Sequence, residues 1–150
     1  MSTVDLDTKA EFVAFFEQGW SIGATDPERF FAHFAGRLTP DARMTQPLAP
    51  ERRGAPGLRA LFTPLFEALP DLRGELVRWG PTDDGVIAEL RLRSPSTGLE
   101  WTTLDVIELR DGLIAARHAH FDPLPLVAAL LRRPLTAAKL MPSLLRGRRA

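Results

Sequence analysis

The chain has 150 residues, enough for one domain that buries roughly two thirds of its unfolded surface. Its 19 basic and 19 acidic side chains cancel, so no global field recruits nucleic acid. Cysteine is absent, which excludes disulfides, thiolate nucleophiles and cysteine zinc sites, and tyrosine is absent too.

Residues 7–23 carry Phe12, Phe15, Phe16, Gly19 and Trp20 at helical spacing, predicting a first helix with an aromatic stripe. Asp26-Pro27 reads as an N-cap followed by proline at the first helical position. The second helix runs from there to about Arg37 and buries Phe30, Phe31 and Phe34. Ala42–Gln46 is a short strand, and the prolines and glycines of Pro47–Gly57 mark a loop. A third helix spans Leu58–Leu69. The hydrophobic period then falls to two, giving strands at Gly74–Trp79, Val86–Arg93, Glu100–Arg110 and Leu113–Phe121. Short turns between them predict an antiparallel sheet, and helices first with sheet afterwards is an α+β pattern.

From Leu124 to Ala150 the chain has six basic residues and no acidic one. Two helices are expected here, Leu126–Arg133 and Leu135–Arg146, broken at Pro134 and Pro142. The expected division is a domain over 1–125 and a basic helical extension over 126–150. The extension is either a solvated appendage or a surface for an acidic partner or anionic membrane. The polar N-terminus does not resemble a signal peptide, and no apolar run approaches ~20 residues, so the expected location is cytoplasmic.

Several elements recur in a known order: Trp20, Asp26-Pro27, Phe34, Pro40-Asp41-Ala42, Pro47, Gly54, Phe62, Pro70-Asp71-Leu72, Asp105-Val106-Ile107, Asp111-Gly112 and Phe121-Asp122-Pro123. That order resembles SnoaL-like proteins of the nuclear transport factor 2-like superfamily, over about Asp7 to Leu126. The resemblance implies a cone-shaped barrel: a curved antiparallel sheet wrapped around the N-terminal helices. It also implies an internal pocket, a homodimer through the outer sheet face and no cofactor or metal. Three chemistries of the superfamily can be compared with these residues. Ketosteroid isomerase-like members need a tyrosine near Gln18 and a carboxylate base near Thr45 or Gln46, and only their hairpin aspartate is matched, by Asp105. Limonene epoxide hydrolase-like members match at Arg91, but their carboxylates fall on Arg93 and Ala119, and their water holders on Arg43 and Thr45. Polyketide cyclase-like members ask for one aspartate, which Asp105 or Asp122 could supply.

Strand parity singles out Asp105, which shares a face with Trp101, Thr103, Ile107 and Leu109. A carboxyl among such neighbours can act as acid, base or neutral donor, or it can simply pair with Arg91, Arg117 or a backbone amide. Catalytic candidates are therefore Asp105 first, then Arg117, His120 and Asp122. The competing reading of Asp122 is an N-cap. His118 and His120 share one face of the last strand, and the resemblance turns that face toward a dimer partner. With Asp122 they could instead hold a metal. Expected pocket residues are Phe16, Trp20, His33, Phe34, Thr45, Phe62, Trp79, Arg91, Trp101, Thr103, Ala119 and Phe121. Plain alternation with Leu90 and Leu92 would put Arg91 and Arg93 outside, whereas the family register would put them inside.

The expected activity is a cofactor-independent isomerase or cyclase on an apolar, carbonyl-containing or weakly anionic small molecule. The alternative is a non-catalytic ligand-binding or protein-interaction module. Under the enzyme reading, an apolar cavity of at least ~300 Å³ should open beside Asp105.

Overall fold

The computed structural model describes residues 3–132. Four helices, α1 (Thr3–Ile22), α2 (Pro27–Ala35), α3 (Gly54–Ala68) and α4 (Leu124–Leu131), accompany six strands. The strands are β1 (Leu38–Thr45), β2 (Arg52–Arg53), β3 (Arg73–Pro81), β4 (Gly85–Ser94), β5 (Leu99–Arg110) and β6 (Leu113–His120).

The aromatic stripe of α1 forms as its spacing requires, with Phe12, Phe16 and Trp20 each at most 2% exposed. Gly19 lets the next helix come close, because a Cβ there would lie 2.4 Å from the Phe34 ring. Asp26 caps α2 by accepting a hydrogen bond from Arg29 N, with Pro27 following it. Helix α3 buries Leu58, Leu61, Phe62 and Phe66, a spacing that places one apolar side on the core. Trp20, Phe30, Phe62 and Phe66 meet edge-on across the three helices. From the sheet, Val86, Ala88, Leu90 and Ile107 close the core at 0% exposure.

The sheet runs β2-β1-β6-β5-β4-β3, curved and open at both edges. Two expectations need correction. The sheet is mixed, because β1 pairs parallel with β6 while its other pairs are antiparallel. It is also not closed into a barrel, since β2 and β3 remain edges. Parallel pairing arises because β1 and β6 lie far apart in sequence and are brought together by the chain's return, not by a hairpin.

Other boundaries shift for local reasons. Strand β1 starts at Leu38, earlier than expected, and tolerates Pro40 because its register with β6 breaks between Leu38 and Arg43. The expected loop over 47–57 holds β2 and the first turn of α3. Gly54 makes that entry possible at φ +64, where a Cβ would meet the Pro40 carbonyl oxygen at 2.7 Å. Helix α4 starts two residues before the expected Leu126, so the expected 125/126 boundary falls inside it. The expected helix Leu135–Arg146 lies outside the described residues. No helix among the described residues is long and apolar enough to cross a membrane.

Asp71 closes the turn between β4 and β5, accepting hydrogen bonds from Ser94 Oγ, Ser96 Oγ and Ser96 N. Burial would raise its pKa, but these donors outweigh burial and hold the carboxyl below its ordinary value of 3.8.

Candidate functional site

Strand β5 sets Asp105 between Ala88 of β4 and Ala119 of β6, two small neighbours that leave room for its carboxyl. Its parity is the one expected, with Thr103, Asp105 and Ile107 all buried on the core side. Asp105 is 0% exposed. On β6, Arg117 stands opposite Ile107, diagonal to Asp105 on the same face. Its Nε donates to Asp105 Oδ2 at 2.7 Å, while Thr103 Oγ1 donates to Asp105 Oδ1 at 3.1 Å. Arg117 Nη1 donates to Gln46 Oε1 at 3.4 Å, and the guanidinium carbon lies 5.3 Å from the Phe62 ring centre. A buried carboxylate held this way is compensated by charge and by hydrogen bonds at both oxygens.

A cavity of about 110 Å³ opens beside this pair. Trp20, Phe62, Trp101 and Phe121 supply aromatic walls, and Leu61, Leu65, Leu92 and Leu126 supply aliphatic ones. Its polar edge comes from Gln46, Arg52, Thr103 and Arg117. Asp105 is not on the wall but sits one side chain behind it. The volume falls short of the expected ~300 Å³, because α3 and α4 push leucines into the space. It remains on the scale of the ~150 Å³ cavities that accept a benzene ring. A deeper void of about 20 Å³ lies among Phe16, Phe30, Phe34 and Met44. Trp20, Phe62 and Arg117 border both spaces.

The expected pocket residues divide. Phe16, Trp20, Phe34, Phe62, Trp101, Thr103, Phe121 and Arg117 reach one cavity or the other. His33 does not: it stacks on Phe15 at 4.1 Å and its Nε2 donates to the Phe15 carbonyl, joining α2 to α1. Thr45 Oγ1 and His118 Nδ1 share a 2.6 Å hydrogen bond away from both cavities. Trp79 and Ala119 border neither cavity. Arg91 is corrected to the outer face. Leu90 and Leu92 take the inward positions on β4, and Arg91 and Arg93 both reach Glu100, at 3.5 and 3.4 Å.

Among the other candidates, His120 is exposed opposite Leu104, and His118 pairs with Val106 on that outer face. Among the described residues no three metal-type ligands gather. Asp122 is exposed and accepts from Leu124 N at 3.0 Å, where α4 begins. The N-cap reading describes that contact, and nothing links Asp122 to the cavity.

Of two further features of the cavity, the sequence named Trp101 as a pocket residue but did not reveal its unpaired ring nitrogen, and it did not point to Arg52 at all. Trp101 Nε1 is buried without a protein hydrogen-bond partner among the described residues. Arg52 borders the cavity from β2, and its side chain has no hydrogen-bond or ion-pair partner among them. Its neighbour Glu51 is engaged elsewhere, by Arg43 at 3.1 Å and Arg53 at 3.3 Å. The Arg43 hydrogen bond, against the opposing effect of burial, holds the Glu51 carboxyl below its ordinary value.

Comparison with known proteins adds the family. The model of the SnoaL-like domain matches residues 12–117. A candidate isomerase of the SnoaL-like family from Agrobacterium tumefaciens str. C58 superimposes with a TM-score of 0.65 at 20% identity, covering 77% of this chain and 98% of that one. A candidate SnoaL-like polyketide cyclase from Jannaschia sp. CCS1 gives 0.69 at 19%, covering 82% and 91%. IdmH, a candidate polyketide cyclase from Streptomyces antibioticus, gives 0.66 at 17%, covering 81% and 97%. At these identities the likeness speaks for the fold. No curated protein matches the chain. With a family model spanning most of the α1–β6 unit and the fold agreeing, the chain belongs to the SnoaL-like family.

Proposed function

We propose that the chain binds a compact apolar carbonyl compound in the 110 Å³ cavity and promotes its conversion to the enolate. That step is common to isomerisation and to aldol-type ring closure, and here it needs no cofactor. One observation carries the reading: Arg117 borders an aromatic cavity while its Nε is fixed by the buried Asp105. A guanidinium carries five N–H donors, and Arg117 Nη2 has no protein partner among the described residues. Donors fixed beforehand in a partly dry site stabilise charge that develops on a carbonyl oxygen. Arg117 is the group set against the ligand. Asp105 acts through it, as a positioning residue. The proton leaving the neighbouring carbon passes to water, since the described residues bordering the cavity include no carboxylate and no imidazole.

That last point also favours a second reading, a binding module without catalysis. The two separate in one experiment. In deuterium oxide, NMR would follow hydrogen exchange beside the carbonyl of a compact ketone such as phenylacetone. Catalysed exchange, reduced about 10²–10³-fold in Arg117→Lys, is the expected result. Saturable binding without accelerated exchange would leave only the binding module. Neither binding nor exchange would overturn both.

A further inference from the structure

The cavity holds more positive charge than the carbonyl reading uses. Two arginines, Arg117 and Arg52, border it, and among the described residues no carboxylate does. Arg117 is balanced by Asp105 behind the wall. Arg52 is balanced by nothing among the described residues: the adjacent Glu51 is taken by Arg43 and Arg53. Arg52 is also held in place. Strand β2 pairs Arg52 with Met44 of β1, and its Cβ packs against Gly57 at the start of α3, where an added methyl would lie 3.0 Å away. An arginine that is half-buried, fixed at its backbone and unpaired at its head is an anion-binding group in waiting. Nearby apolar walls reduce screening and strengthen such a contact relative to open surface.

We propose that the natural ligand is a monoanion, a ring-bearing keto acid or equivalent, with its carbonyl oxygen on Arg117 and its carboxylate on Arg52. This rests on the carbonyl reading above and adds the charge of the substrate class. A charged hydrogen-bonded pair gained at the cavity edge corresponds to about tenfold or more in affinity.

The probes are phenylpyruvate and its neutral methyl ester, titrated by calorimetry against the full chain. The acid is expected to bind at least about tenfold tighter than the ester. In Arg52→Gln the two affinities should converge, and in Arg52→Lys most of the preference should persist. Raised salt should weaken the acid and spare the ester. Equal affinities in the natural sequence, or a preference that survives Arg52→Gln, would overturn the proposal. If the ester still binds in those cases and depends on Arg117, the carbonyl reading stands alone. Failure of both probes to bind overturns the two together. Arg52 lies at an exposed edge of the fold, and a melting curve on each variant checks that folding is intact.

Discussion

Replacing Arg117 with methionine is expected to lower folding stability by about 3–5 kcal/mol, measured by chemical denaturation. The reason is the carboxylate left behind. Asp105 is 0% exposed, and without Arg117 its remaining side-chain donor is Thr103 at 3.1 Å. For a chain of this size that loss lowers Tm by roughly 10 °C or more. Asp105→Leu should cost less, because the stranded guanidinium keeps Gln46 and borders a cavity that can admit water. The double variant should recover much of the loss, since two apolar side chains need no mutual compensation. The coupling between the two positions is then large and of one sign. Additive single effects would mean that the 2.7 Å contact contributes nothing specific.

Trp20→Ala is expected to cost about 3–5 kcal/mol, the range for removing a buried tryptophan. Trp20 is 2% exposed and meets Phe30 at 5.2 Å and Phe62 at 5.4 Å, both edge-on. It also borders both cavities, so its removal is expected to join them into one larger apolar space. Such spaces take up small aromatic molecules. Added indole should therefore raise the melting temperature of Trp20→Ala by more than that of the natural sequence. A loss below about 1 kcal/mol, with no response to indole, would show that neighbouring side chains collapse into the gap.

Much of this arrangement was legible in the residues. The 3.6-residue spacing of Phe12, Phe16 and Trp20 and the two-residue spacing of Thr103, Asp105 and Ile107 each name a buried face without any structure. Those periods place Asp105 inside. They also place Arg91 outside, and the structure resolves the disagreement over Arg91 in favour of plain alternation: Leu90 and Leu92 occupy the core side. What the periods cannot carry is long-range pairing. Parallel contact between β1 and β6 joins Thr45 to His118, 73 residues apart, and leaves no local mark. Arg52 escaped for a related reason. It lies in a proline- and glycine-rich stretch whose period is undefined, and its place at the cavity follows from a two-residue strand pairing with β1. The division of labour between Asp105 and Arg117 was equally hidden, since parity puts Asp105 inside and the family resemblance puts Arg117 there, but neither says which stands nearer the cavity.

The central claim is that the ligand's carbonyl oxygen rests on Arg117. Infrared spectroscopy of a bound ketone carrying a carbon-13 label at its carbonyl reads that contact directly. A hydrogen bond from a charged guanidinium lowers the stretching frequency. The expected band is shifted below its position in an apolar solvent, with the shift reduced in Arg117→Lys, whose single ammonium cannot hold both Asp105 and the ligand in the same fork. A bound carbonyl at the apolar-solvent frequency, unmoved by Arg117→Lys, would contradict it.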